Sequence, residues 1–261
     1  MFYGPIEYAE KHDRETLERL RQDVHAWTFA HQPFVAAWFP EVGRDPYRSP
    51  SNDPAQPPLA RGRALAVLQD KWLGELIEEL RNDGALDKTL IVFTGDHGMR
   101  FLPTSSGSRE AVSHGKLDDV VMHVPMLFYA PGILDHPVVI DRPTSHIDIM
   151  PTLLDLLGLS ANSAIVQGLP MTDSRIADRL LPLPMSIFGA SGYYYQGFYY
   201  MEGSSESVFK NTTMHFDDNN LLPFESDEAN AIRLKIEEQE VLQRAIVDRM
   251  QQILPPSGTL K

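Results

Sequence analysis

Residues 89–100 read TLIVFTGDHGMR, and this stretch constrains the fold more than any other. Leu90 to Thr94 carry strand-forming side chains with no polar alternation, the pattern of a parallel strand covered on both faces. The run ends in Gly95-Asp96-His97-Gly98. A buried strand that opens into glycines belongs to an α/β layer, where the strand's carboxyl end is the place at which ligands collect. A plain turn needs the glycines but not the histidine.

The flanking sequence keeps that rhythm. Residues 13–31 space Leu17, Leu20, Val24 and Trp27 at helical steps. PFVAAWF (33–39) is a short apolar run between prolines, expected as a buried strand. GRDPYRSPSNDPAQPP (43–58) has five prolines in sixteen residues, which excludes helix and central strand and leaves a long loop of the functional kind. A second helix is expected over 64–81, with Leu65, Leu68, Trp72, Leu76 and Leu80 on one stripe and the stop signal Asn82-Asp83-Gly84. VPMLFYAPG (124–132) is another strand and break, and HIDIMPTLLDLLG (146–158) a helix with Pro151 in its first turn and Gly158 at its end.

Beyond about residue 185 the pattern changes to short aromatic and β-branched runs, SIFG, YYYQGFYYMEG and SVFKNTTMHF, followed by a charged helix at 229–253. Ile232, Ile236, Val241, Leu242, Ile246 and Met250 form its stripe. The expected division is an α/β core over 1–188 and an antiparallel subdomain with a terminal helix over 189–261.

Composition removes several classes of function. Twenty-three basic against 36 acidic residues leave a net charge of −13, the wrong sign for a nucleic-acid partner. No cysteine occurs, so disulfides, thiolate metal sites and a cysteine nucleophile are absent from this sequence. No apolar run of membrane-spanning length occurs, and MFYGPIEYAEKHDRE carries charges where a secretory signal would be apolar. The sequence therefore reads as soluble and untargeted, with its compartment open.

Three groups of residues bear chemistry. Asp96 and His97 offer a carboxylate oxygen and an imidazole nitrogen, a pair suited to Zn²⁺ or Mn²⁺ and less to Mg²⁺ or Ca²⁺. The same spacing serves equally as a tight turn whose aspartate caps a helix. His114 and Lys116 lie in a glycine-containing loop ahead of the second strand. There a lysine gives a point charge for an anionic ester and a histidine a proton for a leaving group, unless the loop is simply exposed and polar. Asp45, Tyr47 and Arg48 in the proline loop are candidates for lining a pocket. His146 at a helix start reads as a packing or hydrogen-bonding residue. His12, His25 and His31 have no acidic partner at ligand spacing in the sequence.

In order, PFVAAWF, DPY, LDKTLIVFTGDHG, HGK, MHVPMLFYAPG, SHIDIMPTLLDLLGL and DDNNLLPFESDEANAI resemble the sulfatase family of the alkaline-phosphatase-like superfamily. The resemblance covers about residues 30–235. It implies an α/β/α sandwich with a mostly parallel mixed sheet and a small antiparallel C-terminal subdomain. It also implies that Asp96 and His97 ligate a divalent cation (Ca, Mn, Zn or Mg) and that Lys116 contacts the sulfuryl or phosphoryl group, with His114 beside it. The substrate implied is a sulfate or phosphate ester.

The family's acidic upstream segment and its Cys, Ser or Thr nucleophile have no counterpart here. SPS at 49–51 has Arg48 where the family's Cys/Ser-x-Pro-Ser-Arg motif needs Cys or Ser, and Asn52 where it needs Arg. The resemblance thus implies a truncated domain, the portion after the nucleophile, with a missing N-terminal half as its complement. The expectation is a metal-dependent hydrolase of sulfuric or phosphoric esters. Alternatives are a phosphoglycerol or phosphoethanolamine transferase of the same superfamily and a non-catalytic chain that binds anions or a partner.

Overall fold

The computed structural model describes residues 9–43, 53, 55–98, 123–160, 166–185, 190–196, 198–203, 212–215 and 227–253. They fall into two compact units, the first ending at Pro137 and the second running from Val138.

In the first unit, α1 (Ala9–Phe29) and α2 (Pro58–Asn82) pack through the leucine stripes expected of them. Arg14 pairs with Glu75, Arg21 with Glu79, and His25 with Asp83. The partner numbers rise together, so the helices run parallel, as helices do when an extended segment returns the chain between them. Two apolar clusters lie along the contact. One joins Leu17, Val42, Leu65 and Trp72, with Trp38 against them. The other joins Val24, Leu80, Ala85 and Leu86, with Trp27, Phe34, Ile91 and Tyr129 packed on it. Buried Asp13 accepts backbone N–H groups of Glu41 (2.9 Å) and Val42 (2.6 Å) and so fixes the chain entering the proline loop. Burial pushes its carboxyl above the ordinary aspartate value, against the pull of those two hydrogen bonds.

Both helix ends close in the same way. Gly84 (φ +66°) lets Ala85 N–H reach Leu80 O at 2.8 Å, a left-handed cap that fulfils the Asn-Asp-Gly stop signal. His31 (φ +52°) does this for α1, where Gln32 N–H donates to Trp27 O at 2.8 Å.

PFVAAWF is not a strand. The backbone is irregular, and no strand pairs with it among the described residues. Phe34 and Trp38 still face the helices, but Val35 and Phe39 are exposed. Phe34 and Trp38, four apart, turn inward while Val35, Ala36 and Ala37 between them are exposed, so the two-residue alternation of a strand is absent as well.

A second correction concerns TLIVFT. β1 (Ile91–Thr94) pairs with β2 (Met126–Tyr129) antiparallel, Ile91 opposite Tyr129 and Thr94 opposite Met126. Phe93 and Leu127 on this pair are exposed. An apolar run reports burial on both faces but not strand direction, and the burial here is partial. The break after β2 then docks tightly: a Cβ at Gly132 would lie 1.8 Å from Asp87 O, in the 3₁₀ turn Leu86–Lys88. Only glycine permits that approach.

In the second unit a 3₁₀ turn (His146–Asp148) leads into α3 (Ile149–Leu156), which ends at Gly158 (φ +68°) as expected. β3 (Leu181–Met185), β4 (Ala190–Tyr195), β5 (Phe198–Gly203) and β6 (Thr212–His215) form an antiparallel sheet in that order. β3 was not legible because Pro182 and Pro184 interrupt it. It is an edge strand, and residues two apart lack their N–H on the same, open side. α4 (Asp227–Ile253) packs Ile232 and Ile236 against Leu180 and Tyr193. Val241, placed on its apolar stripe by the sequence, is exposed.

The buried Asp148–Arg179 pair anchors this unit. Asp148 accepts Ser145 N–H (2.8 Å) and Leu169 N–H (3.0 Å), and the Arg179 guanidinium grips both carboxylate oxygens.

Candidate metal centre

Asp96 and His97 follow β1 directly, at the carboxyl end of the strand where the sequence placed them. The backbone bends there, and the two side chains turn back on each other instead of diverging. His97 N–H donates to Asp96 Oδ1 at 2.9 Å, and His97 Nδ1 lies 2.9 Å from Gly98 O. Since a carbonyl only accepts, Nδ1 carries the proton in the neutral ring and Nε2 keeps its lone pair. That Nε2 stands 3.7 Å from Asp96 Oδ2.

These two free ligand atoms fit one ion. Atoms 3.7 Å apart, each at a bond length of about 2.1 Å, would subtend roughly 125° at a metal, slightly wider than the trigonal angle. Both side chains are open to solvent, Asp96 the more so at 87%. The open side of the pair leaves room for water or substrate oxygens.

The chain leaves the ladder after Thr94 and rejoins it at Met126. Val124 lies against Gly95, 3.5 Å from where its Cβ would be. His114 and Lys116 lie outside the described residues, as do Asp45, Tyr47 and Arg48 of the proline loop.

His146 is exposed, and the side chain that ties down the helix start is Asp148, two residues on. His25 also departs from the sequence reading. Its Nδ1 lies 2.8 Å from Asp83 Oδ2, and together with Glu79 these ligand atoms fall within 4.8 Å of one another. The acidic partners are nearly sixty residues away in sequence and arrive through the packing of α1 on α2. The available signal was Glu79 and Asp83, four residues apart on one face of α2.

Comparison with known proteins bears on the family and the fold. Among solved structures, the lipoteichoic acid synthase LtaP from Listeria monocytogenes superposes with a TM-score of 0.61 over 90% of this chain and 59% of its own, at 18% identity. The fold is therefore the α/β fold of sulfatases and their alkaline-phosphatase-like relatives. The family description Sulfatase matches residues 29–159, half of the chain, and the chain belongs to the sulfatase family. Arylsulfatase K from Danio rerio is 32% identical over 120 residues, 46% of this chain and 20% of its own length. The lipoteichoic acid synthase-like YvgJ from Bacillus subtilis (strain 168) is 27% identical over 172 residues, 60% of this chain and 27% of its own. The matched stretches thus span about a fifth to a quarter of these relatives.

Among the described residues no helix is long and apolar enough to cross a membrane.

Proposed function

We propose that the chain carries part of the catalytic machinery of a sulfuric ester hydrolase, with Asp96 and His97 as ligands of a divalent cation. The observation that supports this most is the Asp96–His97 pair itself. Oδ2 and Nε2 lie 3.7 Å apart, the ring tautomer is set by Gly98, and both residues stand at a strand's end within the sulfatase match.

The cation, whether Ca, Mn, Zn or Mg, supplies polarisation of a sulfuryl oxygen and of the attacking oxygen. Asp96 offers Oδ2 and keeps Oδ1 on the His97 amide, so the carboxylate cannot swing away. Lys116 brings an ammonium to the negative charge that builds on the transferring group, and His114 gives a proton to the departing alcohol. The bond from sulfur to the leaving oxygen breaks as the bond from the attacking oxygen forms. Asp45, Tyr47 and Arg48 line the approach to the ester. No residue of this chain is assigned as the nucleophile.

The test is turnover of aryl sulfate and aryl phosphate esters with Mn²⁺, Zn²⁺ or Ca²⁺ by a version of the protein that includes a nucleophile-bearing segment, with and without Asp96→Ala. Removing one preorganised electrostatic contact lowers the rate on the order of a hundredfold or more. Metal-dependent sulfate turnover that Asp96→Ala reduces to this degree supports the proposal. Undiminished turnover in Asp96→Ala, or cation binding with no turnover of either ester, contradicts it.

The match to YvgJ extends over more of this chain than the match to arylsulfatase K, which favours a second reading, transfer of a phosphoglycerol or phosphoethanolamine group. Phosphate-ester cleavage without sulfate cleavage would select it.

A further inference from the structure

We propose that His25, Glu79 and Asp83 form a second divalent-cation site, separate from Asp96–His97, which clamps the C-terminal ends of α1 and α2. The three side chains come from two helices. Glu79 and Asp83 project from one face of the last turn of α2 and its cap, and His25 faces them from the last turns of α1. One ligand atom from each of the three lies within 4.8 Å of the other two.

The chemistry of the set is that of a first-row transition dication such as Zn²⁺, Co²⁺ or Ni²⁺, because an imidazole nitrogen joins two carboxylates. With a neutral ring, Glu18, Glu75, Glu79 and Asp83 carry −4 against +2 from Arg14 and Arg21, and a dication balances the remaining −2. His25 Nδ1 and Asp83 Oδ2, 2.8 Å apart, subtend roughly 85° at an ion about 2.1 Å from each, the angle of neighbouring ligands in an octahedral site. Waters complete the coordination on the exposed His25 side.

Three features of the surroundings favour a cation over a simple ion pair. First, Glu79 and Asp83 stand four apart on one helix, a spacing at which like charges repel unless something positive lies between them. Arg21 bonds Glu79 Oε2 and orients that carboxylate, leaving Oε1 for a further ligand role. Second, both carboxylates are largely withdrawn from solvent, Asp83 to 17% and Glu79 to 23%. Screening of their repulsion is correspondingly weak. Third, the helices are parallel, so the negative ends of both helix dipoles converge on this place. Each helix end alone would be ordinary; together with an imidazole and two carboxylates they make a cation the natural occupant.

The experiment is calorimetric titration of the whole chain with ZnCl₂, paired with thermal unfolding followed by tryptophan emission. Trp27, Trp38 and Trp72 all lie in the unit that α1 and α2 build, so emission reports on the clamped helices. In the unaltered chain and in Asp96→Ala, Zn²⁺ raises the melting temperature. In His25→Ala and in Asp83→Asn, the affinity of this binding event falls at least tenfold and the rise disappears. His25 is exposed, so its replacement leaves the fold intact; His25→Gln, which keeps the side chain's bulk, and circular dichroism without metal verify this. Unchanged zinc affinity and stabilisation in both His25→Ala and Asp83→Asn overturns the proposal, as does the absence of any zinc-dependent stabilisation of Asp96→Ala. Because Asp96→Ala removes the other centre, failure here and failure of the proposed hydrolase site give different results.

Discussion

Arg179→Ala isolates the interaction on which the second unit depends most. Asp148 is fully buried, and its two oxygens receive four donors: Ser145 N–H, Leu169 N–H and two guanidinium N–H groups. Removing the arginine leaves a carboxylate in the interior with two backbone donors and no counter-charge. Breaking a buried pair in this way costs about 3–5 kcal/mol. The two remaining N–H groups stabilise the anion, which puts Arg179→Ala near the lower end, about 3 kcal/mol. Asp148→Ala is worse, because it strands the guanidinium and orphans both backbone donors; about 5 kcal/mol is expected. Urea unfolding followed by circular dichroism reads this directly. With a slope of about 2–3 kcal/mol/M, Arg179→Ala lowers the midpoint by roughly 1–1.5 M. The double variant costs less than the sum of the two single ones by about 2–3 kcal/mol, the signature of direct coupling. A midpoint shift below roughly 0.4 M for Arg179→Ala, or strict additivity, would refute the reasoning, since the pair would then behave as a surface contact.

Three further perturbations test other parts of the structure. Gly132→Ala drives a Cβ into Asp87 O, a backbone atom that cannot rotate away, so it destabilises by more than the ~1–3 kcal/mol of ordinary overpacking, measured as a fall in melting temperature. Leu65→Ala, which empties a site 1% exposed beside Leu17 and Trp72, costs about 2–5 kcal/mol in the same unfolding measurement. Asp178 is held below its ordinary value by the Tyr195 hydroxyl, then by Lys235. A depressed carboxyl contributes stability above its unfolded value, about 3.9, and loses it as pH falls below that point. Asp178→Asn therefore flattens the stability profile below about pH 4 and leaves its shape from pH 5 to 8 unchanged; an unaltered acid limb would contradict this.

Periodicity made the long helices legible, because α1 and α2 bury the residues their sequence stripes mark, and α1, α2 and α3 terminate at glycines or a histidine tolerant of positive φ. It made β1, β2 and the antiparallel character of the 190–215 hairpins legible for the same reason. Strand direction was not available, since Leu90–Thr94 would show the same apolar run in either pairing. PFVAAWF misled because its composition records a preference for extended backbone, while strand formation requires a hydrogen-bonding neighbour. Of the candidate site residues, the strand-end position of Asp96 and His97 was readable because they follow an apolar run directly. The His25 cluster and the Asp148–Arg179 pair were not, because their partners are 58 and 31 residues away and meet only through packing.

The proposed hydrolase rests on one cation between two atoms, and anomalous diffraction from crystals of the chain grown with Zn²⁺ locates it directly. The expected result is a zinc peak about 2.0–2.2 Å from both Asp96 Oδ2 and His97 Nε2, absent from crystals of Asp96→Ala. Ordered Asp96 and His97 side chains with no zinc density between them, at a concentration that fills the His25 site, would contradict it.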